Sequence, residues 1–200
     1  MRMDNTQVLP QAAHDIGAAL WFGGSVMGVA GVNKSGNDLS DGTDKIRVAA
    51  SAWNRFAPAQ WLGIAAVLAA GSQLTRGNKG RLAAQPGFAT AGVTKAGLAV
   101  AGAAATAFAA YSGRRIGALA EQAELRGEQV DVQDATIPTE KTPTDLAAWQ
   151  RRQRVAQYLV PMISGANVVL NSYLTQQFRP SAGARGLVRR LVPTRLLPAR

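Results

Sequence analysis

Residues 14–31 read HDIGAALWFGGSVMGVAG, and no charged side chain occurs from Ile16 to Val32. A helix without charge on any face has no polar stripe to turn toward water. Such a helix must be buried completely in a soluble core or surrounded by lipid. This stretch limits the possible folds more than any other feature, and we predict a membrane-spanning helix at about 14–33.

Three further stretches share this character, at about 58–75, 92–113 and 155–175. A bilayer core about 30 Å thick needs roughly 20 helical residues, so all four lengths fit. The alternative is a soluble four-helix bundle, which would have to bury the first and third stretches on every side. Four helices cannot do that. The predicted fold class is therefore all-α, a polytopic membrane bundle of four transmembrane helices.

The segment 43–57 has helical amphipathic spacing. One face carries Ile46, Ala49, Ala50, Trp53 and Ala57. This pattern is typical of a helix that lies in the membrane interface. Trp53 and Trp61 would then contact lipid at headgroup depth, where indole rings are favoured.

The segment 114–154 is the longest and most polar connection. Apolar spacing predicts that the third helix continues to about Gly127, and Thr142-Pro143 predicts the start of a helix that runs into the fourth span. We therefore expect an extramembrane helical hairpin. Its acidic arm would face its basic arm, with Glu121, Glu124 and Glu128 opposite Arg151, Arg152 and Arg154.

The net charge of +10 is concentrated partly in a tail, 179–200, that has no acidic residue. Its arginines include Arg185, Arg189 and Arg190, and we predict that they bind anionic lipid headgroups. The tail lacks the interleaved aromatic residues of a nucleic-acid surface, so no nucleic-acid partner is expected. The excess of Arg over Lys is typical of a high-GC bacterium. We predict a bacterial plasma (inner) membrane location with both termini cytoplasmic, and signal cleavage after Ala30 is the less favoured alternative.

Polar side chains within the spans are the candidate functional residues, because such groups are costly in lipid. His14 and Asp15 could relay a proton or bind a cation, or they could simply lie at the interface. Ser164, Asn167 and Asn171 form a stripe on the fourth span, which could line a ligand path or hydrogen-bond neighbouring helices. With one His and no Cys, the chain cannot build a Cys/His metal centre or a bis-histidine haem site, so no metal and no cofactor is expected.

Small residues at spacing of four predict close helix packing, at Gly24 and Gly28 in the first span and at Ala101 and Ala105 in the third. They could form a dimer interface or pack within the chain's own bundle, and the second reading is favoured.

No catalytic motif occurs in the sequence. The leading hypothesis is thus a non-enzymatic accessory, scaffold or assembly subunit that binds other membrane proteins. A small channel or transporter that uses the polar stripe of the fourth span is the alternative. A membrane enzyme or redox subunit based on His14 and Asp15 is a third.

Overall fold

The computed structural model describes residues 7–77 and 86–177, which form four α-helices. These are α1 (Val8–Ala30), α2 (Gly42–Gly77), α3 (Pro86–Leu125) and α4 (Thr144–Gln177). A 3-10 turn, Val32–Lys34, follows α1. The predicted all-α class is confirmed. The basic tail 179–200, with Arg185, Arg189 and Arg190, lies outside the described residues.

The predicted boundary between an interfacial helix and a second span was wrong, because both belong to the single helix α2. Pro58 lies inside this helix and is exposed. A proline in a helix removes one backbone hydrogen bond. Here the flanking residues Ile46 and Ala49 on one side and Ile64 and Val67 on the other are buried, which stabilises both halves of the helix.

The apolar face of 43–57 packs against protein and not against lipid. Ile46 belongs to a buried cluster with Ile116 and Leu146, which come from α3 and α4. The Trp53 ring lies against Gly28 of α1 and its Nε1 donates to Asn33 Oδ1 at 2.9 Å. Trp53 thus packs partly within the bundle, and its contact with lipid stays a prediction. Amphipathic spacing alone does not distinguish a lipid-facing helix from one that faces its own core.

A small β-hairpin between α3 and α4 was not predicted. Strand β1 (Val132–Asp134) pairs antiparallel with β2 (Ile137–Pro138). Val130 and Val132 complete the buried cluster around Ile46. The region 114–154 is therefore not a bare helical hairpin but part of a folded head that also includes the start of α2.

The charges of this head pair differently from the prediction. Glu124 accepts a hydrogen bond from Arg47 of α2 at 3.0 Å, and Glu128 accepts one from Arg126 at 2.7 Å. The hydrogen bond from Arg126 lowers the pKa of Glu128. Arg152 packs over the Trp149 ring at 4.8 Å. Within this head, Glu124 therefore pairs with α2, and Arg152 packs against an aromatic side chain of its own helix.

The half of the bundle away from this head, which we call the lower half, has its own core, centred on Trp21, Ile64 and Val160. Helices α1 and α2 cross closely at Gly17 and Gly63. A Cβ on Gly17 would lie 2.6 Å from the Gly63 carbonyl oxygen, and a Cβ on Gly63 would lie 2.8 Å from the Gly17 oxygen. Glycine at both positions is what permits this contact between backbones.

Within residues 7–77 and 86–177, two helices are long and apolar enough to cross a membrane, Val8–Lys34 and Gly87–Leu125. Only 28% and 17% of their most apolar windows are buried. Large apolar side chains such as Ile16, Met27, Val93 and Val100 are instead exposed. A helix in a soluble core would be mostly buried, so this surface favours a membrane location.

Candidate functional site

A line of polar side chains runs along the inner face of α4, and we call it the α4 polar spine. It consists of Gln150, Gln153, Gln157, Ser164, Asn167 and Asn171. The first five are at most 8% exposed and Asn171 is half-buried. The sequence predicted only the lower part, from Ser164 onward. Gln150 and Gln153 lie in the segment that was assigned to the extramembrane arm, and Gln157, at the start of the predicted fourth span, was not singled out.

The upper end of the spine borders a cavity of about 410 Å³. Residues of all four helices and of the β-hairpin line it. Its polar lining consists largely of neutral amides and hydroxyls, from Ser25, Asn33, Gln60, Thr106, Thr136, Gln153 and Gln157. Its apolar lining includes Trp53, Trp61, Ile116 and Val160. Ligand sites typically have such a mostly apolar wall with a few convergent polar groups, in volumes of roughly 300–1,000 Å³.

Hydrogen bonds hold the polar wall of the cavity in place. Asn33 Nδ2 donates to Gln157 Oε1, and Gln157 Nε2 donates to Thr136 Oγ1 at 3.3 Å. Gln60 Nε2 donates weakly to Ser25 Oγ at 3.4 Å. The buried Oε1 of Gln153 has no hydrogen-bond partner within the described part of the chain. An unpaired buried polar atom is costly, so this wall retains the capacity to bind a further polar group.

Trp21 is a buried neighbour of the cavity wall. It is 1% exposed, and its Nε1 donates to Oγ1 of the lining residue Thr106 at 3.1 Å. Ser25, one turn above, donates to the Trp21 carbonyl oxygen at 2.6 Å. Trp21 is therefore held to two residues of the cavity wall, Thr106 and Ser25.

The lower end of the spine meets a charged cluster formed by three helices. Asn171 Nδ2 donates to Asp15 Oδ1 at 2.8 Å, and Lys95 Nζ donates to Asn171 Oδ1 at 2.5 Å. The amide thus bridges a carboxylate on α1 to an ammonium on α3. Gln11 Nε2 donates to the same Asp15 oxygen at 2.9 Å. The Asp15 side chain is 53% exposed, whereas Lys95 is only partly exposed.

His14 and Asn167 lie beside this cluster and are buried. His14 Nδ1 is 3.3 Å from Asp15 Oδ1, and Asn167 Nδ2 donates to the Lys95 carbonyl oxygen at 3.0 Å. His14 Nε2 and Asn167 Oδ1 have no hydrogen-bond partner among residues 7–77 and 86–177. Four of the sequence candidates, His14, Asp15, Asn167 and Asn171, are thus brought together at one end of the bundle. No group of three or more metal-ligating side chains occurs in the described ranges.

Lys95 is the residue that sequence reasoning missed. It is the only charged residue between Arg81 and Arg114, and it was left at the edge of the third span. Its isolation in a long charge-free region was the available signal. In the structure, Lys95 of α3 contacts Asn171 of α4. The two residues are far apart in the sequence, so this contact could not be read from local spacing.

The remaining candidates lie elsewhere. Ser164 is buried and donates to the Val160 carbonyl oxygen at 2.8 Å. Positions Gly24 and Gly28 accommodate the rings of Phe56 and Trp53 from α2. In α3, Ala101 is exposed and Ala105 packs against the lower core. Trp61 is 40% exposed and lines the cavity.

The fold is a helical bundle that exposes large apolar side chains and holds a cavity at one end of the α4 polar spine and a charged cluster at the other. No protein family, curated protein or solved structure matches the chain. The buried polar side chains and the cavity are therefore the features that bear on its function.

Proposed function

We propose that the chain is a non-enzymatic membrane carrier that moves a small solute along the α4 polar spine. The α4 polar spine is the observation that carries the proposal. Buried polar side chains are costly in a bundle surrounded by lipid, and inside membrane proteins they commonly mark substrate and ion pathways. This function corresponds to the transporter alternative, with the cavity added as its binding site.

Four membrane spans are part of the proposal. The helices carry charge-free segments at 16–33, 56–75, 96–113 and 155–177. Each has about 18–23 residues and is roughly 27–35 Å long, which matches the bilayer core. Polar groups of α2 and α4 such as Gln60 and Gln157 lower the mean hydropathy, but they point inward. The outer side of α4 carries exposed Val155, Met162 and Val169.

The two ends of the spine differ as a carrier requires. At the head, the cavity is accessible between α2 and α3, where its lining residues Asn54 and Arg114 are exposed. At the other end, the Asp15–Asn171–Lys95 bridge ties three helices together. This arrangement corresponds to one state of an alternating-access cycle, with the route closed near the termini. We place the protein in a bacterial plasma membrane with cytoplasmic termini.

Single cysteines test movement along the spine, because the chain has no cysteine of its own. Ala110→Cys places a thiol at the half-buried wall of the cavity, and Ser164→Cys places one in the lower part of the spine. In proteoliposomes, we expect a membrane-impermeant maleimide to label Ala110→Cys readily. Ser164→Cys should react slowly, but at least about tenfold faster than a lipid-facing thiol, because a carrier opens to both sides on a slow timescale.

Ala101→Cys is the matched lipid-facing control, and exposed Ser35→Cys defines full labelling. If Ser164→Cys stays as unreactive as Ala101→Cys, the spine is static and the carrier proposal is wrong.

The accessory-subunit function is the second candidate, and it is favoured by the exposed apolar side chains of α1 and α3. Residues such as Ile16 and Val100 could contact another membrane protein instead of lipid. Purification in mild detergent with mass measurement distinguishes the two. A stoichiometric partner supports the accessory role, and a monomer or homo-oligomer contradicts it.

A further inference from the structure

We propose that the cavity binds an uncharged amphipathic molecule with a hydroxyl or amide group, which enters from the membrane interface between α2 and α3. This inference deepens the proposed carrier function by naming its substrate class. The binding step itself is measurable without transport.

The deep wall of the cavity determines the charge of the ligand. Its polar groups are amides and hydroxyls, and the charged lining residues Arg114 and Glu121 are both exposed and opposite in sign. A buried charge needs a counter-charge or several aligned hydrogen bonds. Because the deep wall supplies no counter-charge, it favours a neutral ligand.

The wall also determines which polar group fits. Gln153 is buried and its Oε1 has no partner within the described residues, and the bond from Gln60 to Ser25 is long at 3.4 Å. A hydroxyl or an amide of the ligand can donate to one amide and accept from another. An alkane would leave these groups unpaired.

The route of entry follows from the side chains between α2 and α3. The facing surfaces are lined by small residues, Ala50 and Ala57 on α2 and Ala110, Gly113 and Gly117 on α3. These leave a lateral gap beside Trp61. The mouth lies near Arg55 and Arg114, where the charge-free segments end. A molecule that enters at this depth comes from the headgroup region, which concentrates amphipathic molecules.

Filling the cavity tests the site. A Cβ on Gly113 or on Gly117 meets no atom within 4 Å, so Gly113→Leu and Gly117→Leu would occupy the cavity without a backbone clash. Gly97 is the matched control, because it also has open space around its Cβ and lies on the exposed side of α3. Leucine favours helix more than glycine does, so all three variants should fold.

The probe is 1-oleoylglycerol, an uncharged lipid with two hydroxyls, and oleate is its charged counterpart with the same chain. Binding is measured on the full chain in detergent by native mass spectrometry at pH 8. We expect one saturable oleoylglycerol in the wild type and in Gly97→Leu. Binding should be at least about tenfold weaker in Gly113→Leu and Gly117→Leu, and oleate should bind at least about tenfold more weakly than oleoylglycerol.

Equal binding of oleate would overturn the uncharged class, and unchanged binding in both filled variants would overturn the cavity as the site. Absence of a saturable adduct in the wild type would also contradict the proposal. A failure of the carrier proposal would give a different result from a failure of the binding proposal. Saturable binding with an unreactive Ser164→Cys would identify a receptor-like binding protein whose interior does not open.

Discussion

Asp15→Asn is expected to lower the free energy of unfolding by about 2 kcal/mol, whereas Lys95→Met should cost clearly less. Removing one partner of a fully buried ion pair costs about 3–5 kcal/mol, because the other charge is left unpaired. The loss is smaller here because the Asp15 side chain is 53% exposed. After Lys95→Met, Asp15 still has water and Gln11 as partners. After Asp15→Asn, the more buried Lys95 keeps the Asn171 oxygen as its hydrogen-bond partner among the described residues.

Reversible unfolding in mixed micelles measures this asymmetry. The double variant Asp15→Asn/Lys95→Met should be more stable than Asp15→Asn alone, because no unpaired charge remains. Asp38→Asn removes an exposed carboxylate in the loop after α1 and controls for the change of net charge. The two single variants could instead lose equal amounts of unfolding free energy, and these losses could add up in the double variant. That result would show that the two charges do not interact.

Gly17→Ala is expected to destabilise the chain by about 2–3 kcal/mol, in the upper part of the range of about 1–3 kcal/mol that is usual for overpacking. The added Cβ would lie 2.6 Å from the Gly63 carbonyl oxygen and 2.9 Å from the Ala66 Cβ. A backbone oxygen cannot rotate away as a side chain can, so the two helices would have to separate. The loss should appear despite the better helix propensity of alanine.

Gly23→Ala is the matched control for this contact. Gly23 lies on the same helix and its Cβ would meet nothing within 4 Å. Alanine there should raise the free energy of unfolding by up to about 1 kcal/mol, the difference in helix propensity. Thermal unfolding of both variants in the same detergent gives the comparison. A Gly17→Ala variant as stable as Gly23→Ala would mean that α1 and α2 are not in backbone contact.

The helices themselves could be predicted from the sequence to a large extent. Charge-free runs and proline positions predicted where α1 and α3 lie, and the helix that begins after Pro143 is α4. Pro58 misled the prediction because a proline favours the first turn of a helix and yet is tolerated further along when packing holds both sides. The β-hairpin was missed because its strands are too short to show alternation.

Much of the candidate site could not be predicted, since it depends on residues far apart in the chain. His14, Asp15, Asn167 and Asn171 were recognised as polar residues within apolar segments. Sequence alone could not show that Lys95 meets Asn171, or that Asn33 meets Gln157. The cavity arises where small residues of α2 and α3 face each other, and helical spacing does not specify which helices become neighbours.

The contact between Asp15 and Asn171 joins residues 156 positions apart, so it also constrains how the protein is made. Both Asp15 and Lys95 leave the ribosome well before Asn171 is synthesised. In the proposed membrane location, the nascent helices carry Lys95 without its amide partner until α4 has been made. The contact between α1, α3 and α4 can therefore form only late in translation, and a chain that ends before α4 would leave Lys95 without its Asn171 partner.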